Sequence, residues 1–167
     1  MASTRYALFT ATLCSGLGLL LASPLWAWDG VVEKQTFEMD SFTTHGGETI
    51  PNVTVGWEAY GELNDARDNV ILITHFFSGT SHAADGQPTG YWDAIIGPGK
   101  PLDTDEYYII SSDTLVNLNA KDPNVTTTGP ASINPDTGEP WGMDFPVVTI
   151  RDFVEVQREL LESQGIE

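Results

Sequence analysis

Two short, uninterrupted apolar runs constrain this chain most: Val70-Ile71-Leu72-Ile73 and Tyr107-Tyr108-Ile109-Ile110. A half-solvated strand or an amphipathic helix would break such runs with polar residues. A strand buried on both faces does not, and such strands belong to parallel or mixed sheets covered by helices. Upstream, residues 34–39 and 53–60 also read as strands, the second alternating around Val53, Val55, Trp57 and Ala59. Asn64-Asp65-Ala66-Arg67-Asp68-Asn69 is turn chemistry. The last predicted element is a helix. Thr149 stands in the N-cap position with Asp152 three residues on, and Gly165 lies where a C-cap belongs. Ile150, Phe153, Val154, Leu160 and Leu161 would form its apolar face. Strands and loops followed by a helix, with buried strands, predict an α/β architecture.

The domain reads as incomplete. Ile166-Glu167 resembles the start of a further strand at the very end of the sequence, and a sheet with one helix leaves a face uncovered. Residues 112–148 hold five prolines and no convincing helix or strand. Loops of that length in compact domains are functional or covered by other structure.

The first residues follow a different logic. Arg5 precedes an apolar stretch over residues 7–22, Ser23-Pro24 breaks it, and Ala27 is a small residue suited to cleavage. That is the layout of a secretory signal peptide over residues 1–27, leaving 28–167 as the mature domain and a secreted or periplasmic location. Cys14, the one cysteine, falls inside the signal. The mature chain would then lack disulfides, thiolate nucleophiles and cysteine-ligated zinc. Removing Arg5 leaves six basic residues against 24 acidic ones, a formal charge of −18. Such a charge disfavours nucleic acid and anionic membrane surfaces as partners. The acids are dispersed and aromatics are plentiful, so a folded acidic protein is expected.

The chemistry is expected after the first apolar run, where Thr74 leads into His75-Phe76-Phe77-Ser78-Gly79-Thr80-Ser81-His82. Loops at the carboxyl ends of buried strands are where α/β folds place ligands. His75, His82 and Asp85 do not have a standard metal-ligand spacing. A nucleophile elbow needs G-x-S-x-G, and none occurs in the 167 residues; Ser81 is followed by His82-Ala83. His45, before Gly46-Gly47, reads as a structural turn residue. Asn52-Val53-Thr54 and Asn124-Val125-Thr126 match glycosylation sequons, which are common by chance.

A family resemblance sharpens this reading. Val55-Gly56-Trp57-Glu58-Ala59-Tyr60-Gly61-Glu62-Leu63-Asn64 and Asp68-Asn69-Val70-Ile71-Leu72-Ile73-Thr74-His75 resemble the opening strands of the homoserine O-acetyltransferase family. Similar stretches follow at Tyr91-Trp92-Asp93, at residues 96–105 and 107–111, at Thr128-Gly129-Pro130 and on to Asp152. The resemblance implies an α/β-hydrolase fold, a Ser-Asp-His triad and a ping-pong mechanism through an acyl-serine. It also implies that the nucleophile elbow lies beyond residue 167, so that this chain is the N-terminal part of such a domain. The family pattern His-Ala-Leu-Thr-Gly matches His75-Phe76-Phe77-Ser78-Gly79. Phe77 would supply a backbone N–H to the oxyanion hole, with His75, Ser78 and Gly79 beside the substrate.

Two departures bear on the substrate. Residues 114–127 replace a glycine-rich stretch that the acetyltransferases place near the active site, and an export signal separates the protein from cytoplasmic acetyl-CoA. The expectation is therefore an exported ester hydrolase acting on a small-molecule ester or acyl donor, with no cofactor and no metal. One alternative is a cytoplasmic homoserine O-acetyltransferase using acetyl-CoA as co-substrate; another is a non-catalytic truncated product. A homodimer stays open.

Overall fold

A computed structural model describes residues 32–85 and 89–167; the expected signal peptide lies outside them. Four strands, β1 (Gln35–Thr43), β2 (Thr49–Tyr60), β3 (Val70–Ile73) and β4 (Tyr108–Ser112), precede a 3-10 turn (Gly142–Asp144) and a helix, α1 (Ile150–Ser163). They form one sheet in the order β1-β2-β4-β3. The β1–β2 and β2–β4 pairs are antiparallel, whereas β3 and β4 run parallel, with Val70 opposite Tyr108 and Ile73 opposite Ser111. The sheet is mixed, as the apolar runs predict.

The hairpin is longer at both arms than the sequence suggests. Its added residues alternate, with Phe42 and Ile50 paired and buried while Ser41, Thr43 and Thr49 are exposed. The expected turn at His45 closes it, with Gly47 N–H donating to Thr44 O at 2.9 Å. β4 is buried along nearly its whole length, but β3 is mostly half-buried. The expectation of two-face burial thus fails for β3, which lies at the edge of the described sheet.

Successive strand residues serve opposite faces. On one face Trp57 and Ile110 pack against Leu160 of α1, and Val53 and Val55 pack with Leu115, Phe145 and Val156. The other face was expected to be bare. It is covered: Tyr60, Ile73 and Ile109 pack against Ala83, Ala84 and Ile96 from the irregular segment between β3 and β4. Beyond Ser112, residues 113–148 form no strand but bury Leu115 and Phe145 and bridge β2 at Val55 through Thr127, where β4 no longer pairs with it.

Helix α1 starts at the expected Thr149, whose N–H and hydroxyl donate to Asp152 Oδ2 at 2.6 and 2.7 Å. It ends at Gly165, where a φ of 69° suits glycine. Gly165 N–H reaches Glu162 O and Ile166 N–H reaches Leu161 O, closing a Schellman cap. Ile166 therefore serves the helix end. The buried stripe of α1 is Asp152, Val156, Gln157 and Leu160. Ile150 and Val154, expected on that face, are 71 and 54 % exposed. They lie one helical step around from the stripe's centre, which polar Asp152 and Gln157 share through hydrogen bonds rather than apolar contact.

Candidate active site

β3 ends at Ile73 and its chain passes directly into the loop singled out by sequence. Phe76 and Phe77 project from it, Phe77 being 88 % exposed. The carbonyl of Phe76 accepts two hydrogen bonds, from Gly79 N–H at 2.7 Å and from His75 Nδ1–H at 2.7 Å. A trans peptide is planar, with its C=O and N–H on opposite sides. Holding the Phe76 carbonyl on one side therefore aims the Phe77 N–H to the other, where it donates to no described residue. Such a donor, fixed in direction, suits charge that develops on a reacting oxygen.

His75, Phe77, Ser78 and Gly79 are thus gathered in one turn, with different surroundings. His75 and Gly79 orient the peptide. The second ring nitrogen of His75, Nε2, is buried without a partner among the described residues. Ser78 is exposed, and its carbonyl accepts from Asn119 Nδ2 at 2.9 Å. The Gly79 carbonyl accepts from Asn117 Nδ2 at 3.0 Å. Both asparagines belong to residues 114–127, the segment whose sequence departs from the acetyltransferase pattern, and it grips the loop directly.

The far arm of the loop rests on a buried ionic cluster. Ser81 N–H donates to Asp113 Oδ1 at 2.7 Å. Asp113 Oδ2 accepts from Thr126 N–H at 3.0 Å and faces Lys34 Nζ at 3.3 Å. Lys34 also donates to Ser81 Oγ and lies 3.4 Å from Glu58 Oε1. Glu58 Oε2 accepts from the Tyr60 hydroxyl at 2.8 Å and from His82 Nδ1 at 2.9 Å. The Tyr60 oxygen in turn accepts Ala83 and Ala84 N–H at 2.8 and 3.1 Å. Burial, then the adjacent Glu58 carboxylate, pushes the Tyr60 phenol far above its ordinary value, so it remains a donor.

Lys34, Glu58, Asp113, Asn117 and Asn119 were not singled out from sequence. Glu58 carried a signal: a carboxylate in the middle of a buried strand requires partners. The strand's alternation was read from Val55, Trp57 and Ala59, and the opposite face bearing Glu58 and Tyr60 went unread. His75, His82 and Asp85 do not converge. His82 is bound to Glu58 and the Asp85 N–H to Asp93 Oδ1. Among the described residues no three His, Cys, Asp or Glu side chains are grouped to hold a metal ion. A groove between the β1–β2 hairpin and α1 is lined by Met39, Phe42, His45 and Val154, and none of residues 75–79 borders it.

A mixed sheet with α1 on one face and, after β3, an oriented N–H that has no acceptor among the described residues match part of an α/β-hydrolase fold. No family model matches the chain. It is 44 % identical over 142 residues to the homoserine O-acetyltransferase of Carboxydothermus hydrogenoformans, covering 82 % of this chain and 36 % of that protein. Among solved structures, esterase E22 superposes with a TM-score of 0.79 at 69 % identity, over 81 % of this chain and 38 % of that one. The homoserine O-acetyltransferase of Bacillus anthracis superposes with a TM-score of 0.79 at 48 % identity, over the same shares of the two chains. The chain belongs to the homoserine O-acetyltransferase-like family of α/β-hydrolases. It spans between a quarter and just over a third of the length of the curated relatives it matches.

Proposed function

We propose that this chain supplies the oxyanion side of an exported serine ester hydrolase. The observation that carries the reading is the Phe77 N–H, turned outward at the carboxyl end of β3 by the two hydrogen bonds on the Phe76 carbonyl. In the reaction a serine oxygen attacks the ester carbonyl carbon, and a base takes the serine proton. The carbonyl π electrons move onto oxygen, where the Phe77 N–H stabilises the charge. Collapse expels the alkoxide, which leaves as the alcohol with the base's proton. Water then attacks the acyl-serine through a second oxyanion in the same hole, releasing the acid. The serine, acid and base of the triad come from beyond residue 167 in this reading, since no G-x-S-x-G lies within it.

Hydrolysis rather than transfer is supported by the 69 % identity to esterase E22 and by the signal-peptide layout expected for residues 1–27. The second reading, acetyl transfer to homoserine from acetyl-CoA, is favoured by the 48 % identity to the Bacillus anthracis enzyme. The protein expressed from its complete reading frame separates them. Release of p-nitrophenol from p-nitrophenyl acetate, at a rate indifferent to homoserine, is expected. Homoserine-dependent release of CoA from acetyl-CoA would overturn the hydrolase reading.

A further inference from the structure

We infer that the Lys34–Glu58–Asp113 cluster is a positioning device for the catalytic loop, with Lys34 as the residue that joins its parts. The inference rests on the oxyanion role of Phe77 proposed above. It starts from charge. Glu58 and Asp113 are 4 and 1 % exposed, and two carboxylates so deeply buried are stable only if paired and hydrogen-bonded. They sit on different elements, Glu58 within β2 and Asp113 just after β4, and Lys34 is the cation that touches both.

The cluster is built around the loop, not merely near it. Lys34 and Asp113 together hold Ser81 by its hydroxyl and its N–H. Glu58 holds His82 directly, and holds Ala83 and Ala84 through the Tyr60 hydroxyl. Four consecutive loop residues are therefore fixed to β2 and β4, immediately after the turn that aims Phe77. The asparagines at 117 and 119 fix the turn's other carbonyls. The exposed tip at Phe77 is carried on an arm that cannot shift without breaking buried ionic contacts.

Lys34 itself comes from the segment preceding β1, and Val32 beside it packs with the Tyr60–Ile73 cluster. The N-terminal arm is thus a working part of the site. With cleavage after Ala27, Lys34 is the seventh residue of the mature chain, and trimming past it would remove the cation.

The test uses the protein expressed from its complete reading frame, comparing wild type with K34M, K34R and S81A. Two measurements are made: p-nitrophenyl acetate kinetics per folded molecule, and amide hydrogen exchange across residues 76–85. K34M is expected to lower kcat on the order of 10- to 100-fold, as misplacement by about an ångström does. KM should stay within about twofold, and K34R should recover most of the loss. Exchange at residues 81–84 should quicken by about tenfold in K34M, a signature of local opening. S81A, which keeps the Lys34–Asp113 and Lys34–Glu58 pairs, should show the same kcat effect in milder form, and it decides the matter if K34M does not fold. Unchanged kcat per folded molecule, with only a lowered melting temperature, would overturn the inference. If the wild type hydrolyses no ester, the proposed function falls, and the exchange measurement alone decides the positioning role: no quickening at 81–84 overturns it.

Discussion

The Ser81 N–H donates a 2.7 Å hydrogen bond to the Asp113 carboxylate across 32 residues of sequence, joining the loop after β3 to the residue that follows β4. Both residues are fully buried. Parallel neighbours β3 and β4 end at the same level, so the two segments leaving their carboxyl ends meet there. Asp113 meets Ser81, Thr126 and Lys34 at once.

Removing that carboxylate leaves the buried Ser81 N–H and the half-buried Thr126 N–H without their acceptor, and takes from Lys34 one of its two carboxylate partners. Asp113→Ala is expected to destabilise the fold by ~3–5 kcal/mol, the range seen when one partner of a buried ion pair is deleted. Asp113→Asn keeps an acceptor for one N–H and should cost visibly less. Urea unfolding followed by tryptophan fluorescence measures both; equal midpoints for Asp113→Ala and wild type would refute the account.

Gly56 makes room for the same carboxylate. A Cβ built there would lie 2.5 Å from Asp113 Oδ2, well inside contact distance. Gly56→Ala should therefore destabilise by about 1–3 kcal/mol through overpacking, although alanine is better suited than glycine to a strand backbone. In the Asp113→Ala background the obstructing oxygen is gone and the added cost should shrink to what the Lys34 Cδ and Thr126 Cβ contacts at 3.1 Å impose. A double-mutant cycle reads this directly, and additive effects would count against it.

The pH dependence of stability should carry the mark of Asp152. Burial favours its neutral form, but the His45 N–H at 2.6 Å and the Thr149 N–H and hydroxyl favour the carboxylate more, holding its pKa below the usual range. A carboxyl depressed in the folded state contributes stability above its unfolded pKa and loses it as pH falls through the folded value. Asp152→Asn should cost about 1 kcal/mol near neutrality, a typical helix-cap loss. The gap to wild type should then close below about pH 4, the ordinary carboxylate range. Denaturation series from pH 3 to 8 test this; a gap independent of pH would show that charge is not involved.

Much of this was legible because it depends on local pattern. The apolar runs fixed β3 and β4, and Thr149, Asp152 and Gly165 marked α1 within a residue of its ends. The loop at residues 75–79 was legible as a place, because α/β sheets put function at strand ends. The ionic cluster was not, since Lys34, Glu58, Ser81 and Asp113 are brought together by strand pairing between residues up to 79 positions apart. Nor was the cover on the second sheet face, because Ala83, Ala84, Ile96 and Leu102 pack from irregular chain with no period to read. The exposed Ile150 and Val154 show the limit of periodicity itself: it identified the helix but misplaced the face, because buried hydrogen bonds let Asp152 and Gln157 occupy the stripe.

The role proposed for Phe77 lies in its backbone, and this separates two substitutions at one position. Its side chain is 88 % exposed and makes no ring contact among the described residues. Phe77→Leu should therefore leave ester hydrolysis by the protein from its complete reading frame within about threefold of wild type, since surface changes rarely move the fold. Phe77→Pro deletes the N–H while the neighbouring Phe76 carbonyl keeps its two donors. Loss of one oxyanion donor lowers kcat by about 10²–10³-fold. The comparison is made at matched folding, checked by circular dichroism, with kcat and KM measured on p-nitrophenyl acetate. A proline variant as active as the leucine variant would mean that the oxyanion is stabilised elsewhere. The opposite pattern, both variants equally impaired, would assign the contribution of Phe77 to its ring and not to the peptide that His75 and Gly79 hold in place.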